Sequence, residues 1–200
     1  MVKRLILLLC ILGACYTTGY AQKKLGLKTN LLYWGTGTPN LGLEMGLGER
    51  TSVQLFGGYN PWNRQPSTEY DPANPHVLNK KLVHWVVQPE FRYWLCQRFN
   101  GHFFGVHGIY SQFNVGAHDI PLLFEKDYRY EGWAAGGGIA YGYHWIMSRR
   151  LSLEFTVGGG FLFLAYSKYD CEVCGTLQDK KEKTYVGPTK AAVSLIYMLK

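Results

Sequence analysis

Lys28, Glu44, Gln54, Gln88, Glu90, Arg92, His144, Glu154 and Lys190 stand at alternating positions of otherwise apolar stretches. Two carboxylates such as Glu90 and Glu154 are what acid–base hydrolysis of a glycoside uses. A file of ionisable groups is also what an ion or proton path needs. A set carrying both signs can instead pair with itself, because charges taken out of water must be matched and hydrogen-bonded. The expectation is therefore a buried salt-bridge network, with Arg92 between Glu44, Glu90 or Glu154. A second constellation is Cys171-Glu-Val-Cys174. That spacing serves redox chemistry or half a zinc site, but no second pair accompanies it and no helix opens beside it to activate a thiol. In an exported loop a local disulfide is expected, with metal binding as the alternative and no cofactor. Cys96 is expected to stay unpaired. His76, His118, Asp119 and Asp127 could serve a hydrolase or acyltransferase acting on lipid or peptide at a membrane rim. Adjacent His118 and Asp119 point opposite ways on a strand. His107 and Ser111 share a face but lie about 13 Å apart at strand rise, too far for a nucleophile–base hydrogen bond.

The elements that must position these residues read as strands. From Leu151 to Phe163, Leu151, Leu153, Phe155, Val157, Phe161 and Phe163 alternate with Ser152, Glu154, Thr156, Gly158 and Gly160. Upstream, Trp133, Ile139, Tyr141, Tyr143 and Trp145 face one way and Ala134, Gly136, Gly138, Ala140 and Gly142 the other. Period 2 over this length means strand. Large apolar residues on one face and tiny or polar ones on the other suit a barrel wall with lipid outside and a narrow lumen inside. Further strands are expected over 22–33, 41–47, 51–59, 82–96, 102–115 and 189–199, with a bulge at Pro89. The stretch 102–115 carries aromatics on both faces and is ambiguous.

The connections alternate. Gly48–Arg50, Gln97–Gly101 and Ser148–Arg150 are short, whereas 60–81, 117–132 and 167–187 are long and polar. Short periplasmic turns, long surface loops and an even strand count are the pattern of an outer-membrane barrel. The reading is an all-β, eight-stranded, antiparallel up-and-down transmembrane barrel. A secreted lipocalin-like barrel alternates too, with its apolar face inward; the Gly/Ala face opposes it.

Residues 1–21 read as a signal peptide, with basic Lys3 and Arg4, an apolar run too short to span a bilayer, and cleavage expected after Ala21. The rival is a lipobox at Leu12–Cys15, with lipidation of Cys15. The mature domain is then 22–200. The net charge is +7; losing Lys3 and Arg4 makes it 7 − 2 = +5. These cations are scattered, so they fit headgroups or acidic glycans and exclude a nucleic-acid module. The aromatic segments Tyr59–Trp62 and Asp127–Tyr130 could bind an extracellular protein or glycan. Equally, Trp62, Tyr128, Tyr130 and Trp133 could form an aromatic girdle.

The segments Lys28–Tyr33, Thr38–Gly42, Gly57–Trp62, Gln88–Trp94, Asp127–Trp133, Tyr141–Trp145 and Gly187–Ala192 together resemble domain-of-unknown-function family 3575, exported proteins found largely in Bacteroidota. The resemblance covers nearly the whole mature chain. It implies an outer-membrane barrel similar to the small OmpA/OmpX-like class and brings no catalytic residues. Proximity of family members to fimbrial genes suggests a part in surface assembly. The last strand, Lys190 to Tyr197, matches the signal read by the barrel-assembly machinery except that Ala192 replaces glycine and the match ends three residues early. The expected role is structural or surface-interacting and non-enzymatic; a narrow pore and a membrane-embedded enzyme are the alternatives.

Overall fold

Alternating side chains commit each stretch to a strand, because only an extended backbone puts every second residue on one face. The computed structural model describes residues 25–62, 81–116, 128–170 and 177–199. Its strands are β1 (Leu25–Asn30), β2 (Asn40–Gly46), β3 (Thr51–Asn60), β4 (Lys81–Trp94), β5 (Gly101–Gly116), β6 (Tyr128–Ile146), β7 (Leu151–Asp170) and β8 (Leu177–Leu199), with one short helix, α1 (Leu31–Gly35). Each strand pairs antiparallel with its chain neighbour. β8 returns to β1, with Leu25 opposite Leu199 and Asn30 opposite Ser194. Eight antiparallel strands thus form one closed hydrogen-bonded ring. Among the described residues, no helix is long and apolar enough to cross a membrane.

The ring is a staircase. Strand lengths rise in chain order through 6, 7, 10, 14, 16, 19, 20 and 23 residues. The shortest strand therefore stands beside the longest. The short turns Leu47–Arg50, Leu95–Asn100 and Met147–Arg150 gather at one rim, together with the start of β1 and the end of β8. The opposite rim carries α1 and the upper parts of β5 to β8.

The walls follow the alternation. Trp133, Ile139, Tyr141, Tyr143 and Trp145 are exposed, while Ala134, Ala140 and Gly142 are buried. Along β7, Phe155, Val157 and Phe161 are exposed and Ser152, Glu154 and Thr156 are buried. β5 resolves its ambiguity by sending Phe103, His107, Ile109, Phe113 and Val115 inward and Phe104, Val106 and Tyr110 outward. The small face of β6 has two causes. A Cβ on Gly142 would strike the Phe103 ring, so that glycine makes room for a side chain. A Cβ on Gly138 would strike the carbonyl of Gly159 on β7, so there the glycine permits close approach of two backbones.

Several expectations are corrected. The first strand stops at Asn30, whose Oδ1 accepts the Leu32 N–H at 3.1 Å and turns the chain into α1. Tyr33 then faces inward and Leu32 outward, the reverse of an uninterrupted strand. Pro89 makes no bulge: the register is the same on both sides of it, and only Gln88 and Pro89 drop out of the ladder with β5. The register shifts instead at two places in the β7–β8 ladder: between Gly158 and Gly159, where Lys190 and Pro188 are the partners and Thr189 is the extra residue, and between Lys168 and Tyr169, where Asp179 and Leu177 are the partners and Gln178 is the extra residue. Tyr128–Gly132 and most of 167–187 are strand, since β6, β7 and β8 run past the expected loop boundaries. Tyr130 is buried inside the ring and is not a girdle residue. The segment 63–80, residues 1–24, His76, His118, Asp119, Asp127, Cys171 and Cys174 lie outside the described residues.

Candidate functional site

The inward faces of β1, β2, β3, β4, β7 and β8 bring together charges that are distant in sequence. The Lys28 ammonium contacts Glu44 at 2.6 Å, both Glu154 oxygens at 2.8 Å and Gln54 Oε1 at 2.9 Å. Arg92 donates to Glu44 and Glu90 at 2.9 Å and to Glu154 at 3.0 Å. Lys190 donates to Glu90. Three cations thus meet three carboxylates, and every carboxylate touches Arg92. Each of these side chains is at least nine-tenths buried.

Neutral groups extend the cluster at Glu44 and Glu154. Trp94 Nε1 donates to Ser52 Oγ at 2.9 Å, and Ser52 donates to Glu44 at 2.6 Å. Thr156 donates to Glu154 at 3.2 Å, and His144 Nδ1 lies 3.5 Å from the same carboxylate. These partners match further lone pairs of Glu44 and Glu154, and an unmatched buried lone pair costs about 1–3 kcal/mol or more. Glu90 Oε1, Arg92 Nε and His144 Nε2 are buried with no hydrogen-bond partner among the described residues. Gln88 is buried beside the cluster and lines a cavity of about 50 Å³ together with Lys28, Gln54, Arg92, Glu154 and Lys190. A cavity of this size holds a few water molecules and no organic substrate.

Apolar layers lie on both sides. Towards the turn rim, Trp94, Phe99 and Phe103 are packed together, with Met198 against them. The Arg92 guanidinium lies 4.4 Å from the centre of the Phe103 ring, so the ionic layer rests on the aromatic one. Towards the other rim, Phe56, Val86 and Ile109 pack with Tyr33 of α1. The Tyr33 and Phe56 rings meet edge-on at 5.4 Å. Higher still, Phe113, Val115, Tyr130, Ala134 and Leu164 form a further cluster inside the tall wall. An eight-stranded ring is just wide enough for its own side chains, and here these occupy the interior around that one described cavity.

The His107 and Ser111 side chains have separate partners. His107 Nε2 is 3.0 Å from Thr189 Oγ1, the residue extruded by the β8 bulge, and Ser111 donates to the Trp85 carbonyl at 2.7 Å. Glu90 and Glu154 are both held by Arg92. No three His, Cys, Asp or Glu side chains gather to hold a metal among the described residues. Cys96 is exposed and free. Sequence reasoning missed Ser52, Trp94 and Thr156, although all three stand at inward positions of the alternation. It also missed Tyr33, for which the alternation itself pointed the wrong way.

The outer surface inverts the usual distribution. Leu41, Leu43, Met45, Leu55, Phe91, Val106, Ile139, Val157 and Phe161 are all exposed, Ile139 to 72% and Val157 to 65%. Exposed aromatics lie in two bands, Tyr93, Tyr141, Tyr143, Trp145 and Tyr197 near the turn rim and Trp34, Tyr59, Trp62 and Trp133 near the other.

A family model described as protein of unknown function (DUF3575) matches residues 5–199. Neither the curated proteins nor the solved structures contain a significant match.

Proposed function

The chain belongs to the DUF3575 family, and from that premise we propose that it is an outer-membrane β-barrel with a sealed interior, whose role is structural or surface-interacting and not enzymatic. The observation that carries the reading is the inversion of its surfaces: a continuous apolar exterior surrounds a charged, self-paired interior. A soluble protein rarely exposes a large contiguous apolar patch, whereas a barrel in lipid must. The aromatic bands support it. Trp133 and Tyr143 are 143 − 133 = 10 residues apart on β6, and ten residues tilted about 40° rise roughly 25 Å, the height of an apolar band. In this reading the turn rim and both termini are periplasmic, α1 lies at the outer interface, and the tall wall of β5 to β8 stands in the extracellular medium. Partners would be outer-membrane lipid, the barrel-assembly machinery, and a protein or glycan at the surface.

The test is folding and conductance together. Purified protein in detergent is expected to run faster on a gel unheated than heated, and to resist unfolding. In planar bilayers it is expected to pass no steady current, because the ionic layer lies between two apolar ones. A protein that stays monodisperse without detergent would overturn the membrane reading. A steady unitary current would overturn the sealed interior and favour the narrow pore.

A further inference from the structure

The turn rim carries cations that its own carboxylates do not match. Its three short turns hold Arg50, Arg98, Arg149 and Arg150 against Glu49 alone. Arg50 follows Glu49 directly. Arg98 is turned into the ring: it donates to the Gly48 carbonyl and occupies the space that a Cβ on Gly46 would take. The turn between β6 and β7 differs from both. Its Arg149 and Arg150 are exposed and adjacent, and neither forms an ion pair among the described residues.

The backbone under these two arginines is tied down. The Met147 and Ser148 amides donate to the Leu151 carbonyl at 3.1 and 2.9 Å, and the Arg150 carbonyl accepts the Met198 N–H of β8 at 2.8 Å. Ser148 Oγ accepts the Leu151 N–H at 3.1 Å. The Arg150 side chain is placed as well. Its Nη1 donates to the Tyr197 hydroxyl at 3.1 Å, which sets the guanidinium on the outer wall with most of its five donors still unused. On that wall Leu151 stands opposite Tyr197, and Leu153 stands between Trp145 and Leu195. Phe155 and Val157 continue the exposed apolar face away from the turn. Cations, then aromatic rings, then an apolar face is the order of groups that complements a phospholipid: phosphate, then interface, then acyl chains. A guanidinium fork suits a phosphate, which accepts two parallel hydrogen bonds from it. A zwitterionic headgroup would bring its own ammonium group to the paired arginines, whereas an anionic one would not.

We propose that the β6–β7 turn binds the phosphate of an anionic phospholipid through Arg149 and Arg150, with the acyl chains along Leu151, Leu195 and Phe155. The proposal rests on the outer-membrane reading and gives it a lipid preference at one place on the periplasmic rim.

The test is competition between lipids. Full-length protein in micelles of an uncharged detergent is given phosphatidylglycerol and phosphatidylcholine in equal amounts, and retained lipid is counted by native mass spectrometry. Wild type is expected to keep one phosphatidylglycerol in preference to phosphatidylcholine by at least about fivefold, the effect of one arginine near an anionic lipid surface. In Arg149→Gln/Arg150→Gln the ratio is expected to fall to about one. Arg50→Gln, on a different turn, is expected to leave the preference intact. Wild type without a preference, a double variant that keeps it, or an Arg50→Gln variant that loses it to the same extent would each overturn the site. Inorganic phosphate in excess separates the two sources of the anion. A retained lipid that survives it supports the phospholipid, and a lipid displaced by it, but not by chloride at equal ionic strength, would overturn the phospholipid in favour of the free ion. Protein that stays monodisperse without detergent would overturn the membrane reading before any lipid is added, whereas protein that requires detergent and shows no preference overturns the site alone.

Discussion

Arg92 is the residue on which the interior turns. Its guanidinium touches Glu44, Glu90 and Glu154, which come from β2, β4 and β7, so it joins strands that do not neighbour one another around the ring. Replacing a buried ion pair wholesale with apolar groups can be neutral, but removing one partner leaves charges unmatched and costs about 3–5 kcal/mol. Arg92→Met leaves three carboxylates with two ammonium groups. A fall in the urea midpoint of the folded form in detergent, equivalent to about that much free energy, is the expected result. An unchanged midpoint would mean that the network does not stabilise the fold. The inward residues of this cluster were legible because alternation assigns a face to every position of a strand. Their pairing was legible only in outline: Arg92 was expected between Glu44, Glu90 or Glu154 and contacts all three.

At the scale of elements, two features answer to local causes. α1 exists because Asn30 accepts the Leu32 N–H and ends the strand. Asn30→Ala is expected to cost about 0.5–2 kcal/mol, the ordinary range for a lost cap, and to unseat Tyr33. Asn30 also meets Ala191 and Val193, so the loss should lie towards the upper end of that range, read as a lower urea midpoint. Tyr33→Ala alone should leave bilayer conductance at zero, since Trp94, Phe99 and Phe103 still close the other side; a current in this variant would mean that α1 is the seal. On β6 and β7, Gly138→Val would drive a side chain into the Gly159 carbonyl. A loss of at least about 1–3 kcal/mol is expected from such overpacking, read as a smaller heat-modifiable fraction on a gel. The loop boundaries were the least legible part. Polar, charged sequence such as Asp179 to Lys183 reads as loop, yet it extends β8 because both faces of the tall wall can stay solvated there.

At the scale of the whole molecule, the decisive property is which side of the ring is apolar. Ile139→Arg gives a sharp test. If Ile139 faces the middle of a bilayer, the arginine costs about 2–4 kcal/mol, measured as a shift of the folding midpoint into lipid vesicles. If the outer face met water, an arginine on a surface residue exposed to 72% would change stability by less than about 0.5 kcal/mol. The staircase of strand lengths is also a property of the whole ring. It places a strand of 23 residues beside one of 6.

The amino-acid sequence by itself determined the strand count, the faces of nearly every strand, the short turns and the membership of the inward charged set. These follow from a period of two, which is local and needs no knowledge of the rest of the chain. Only the tertiary structure decided how far each strand runs, that Tyr33 closes over the interior, that Thr189 and Gln178, and not Pro89, sit at the register shifts, and which cation meets which carboxylate. Those depend on contacts between residues far apart in sequence, such as Lys28 with Glu154 and Lys190 with Glu90. Closure of the ring sets them: joining β8 to β1 fixes which positions share a level inside, and no alternation within a single strand carries that information.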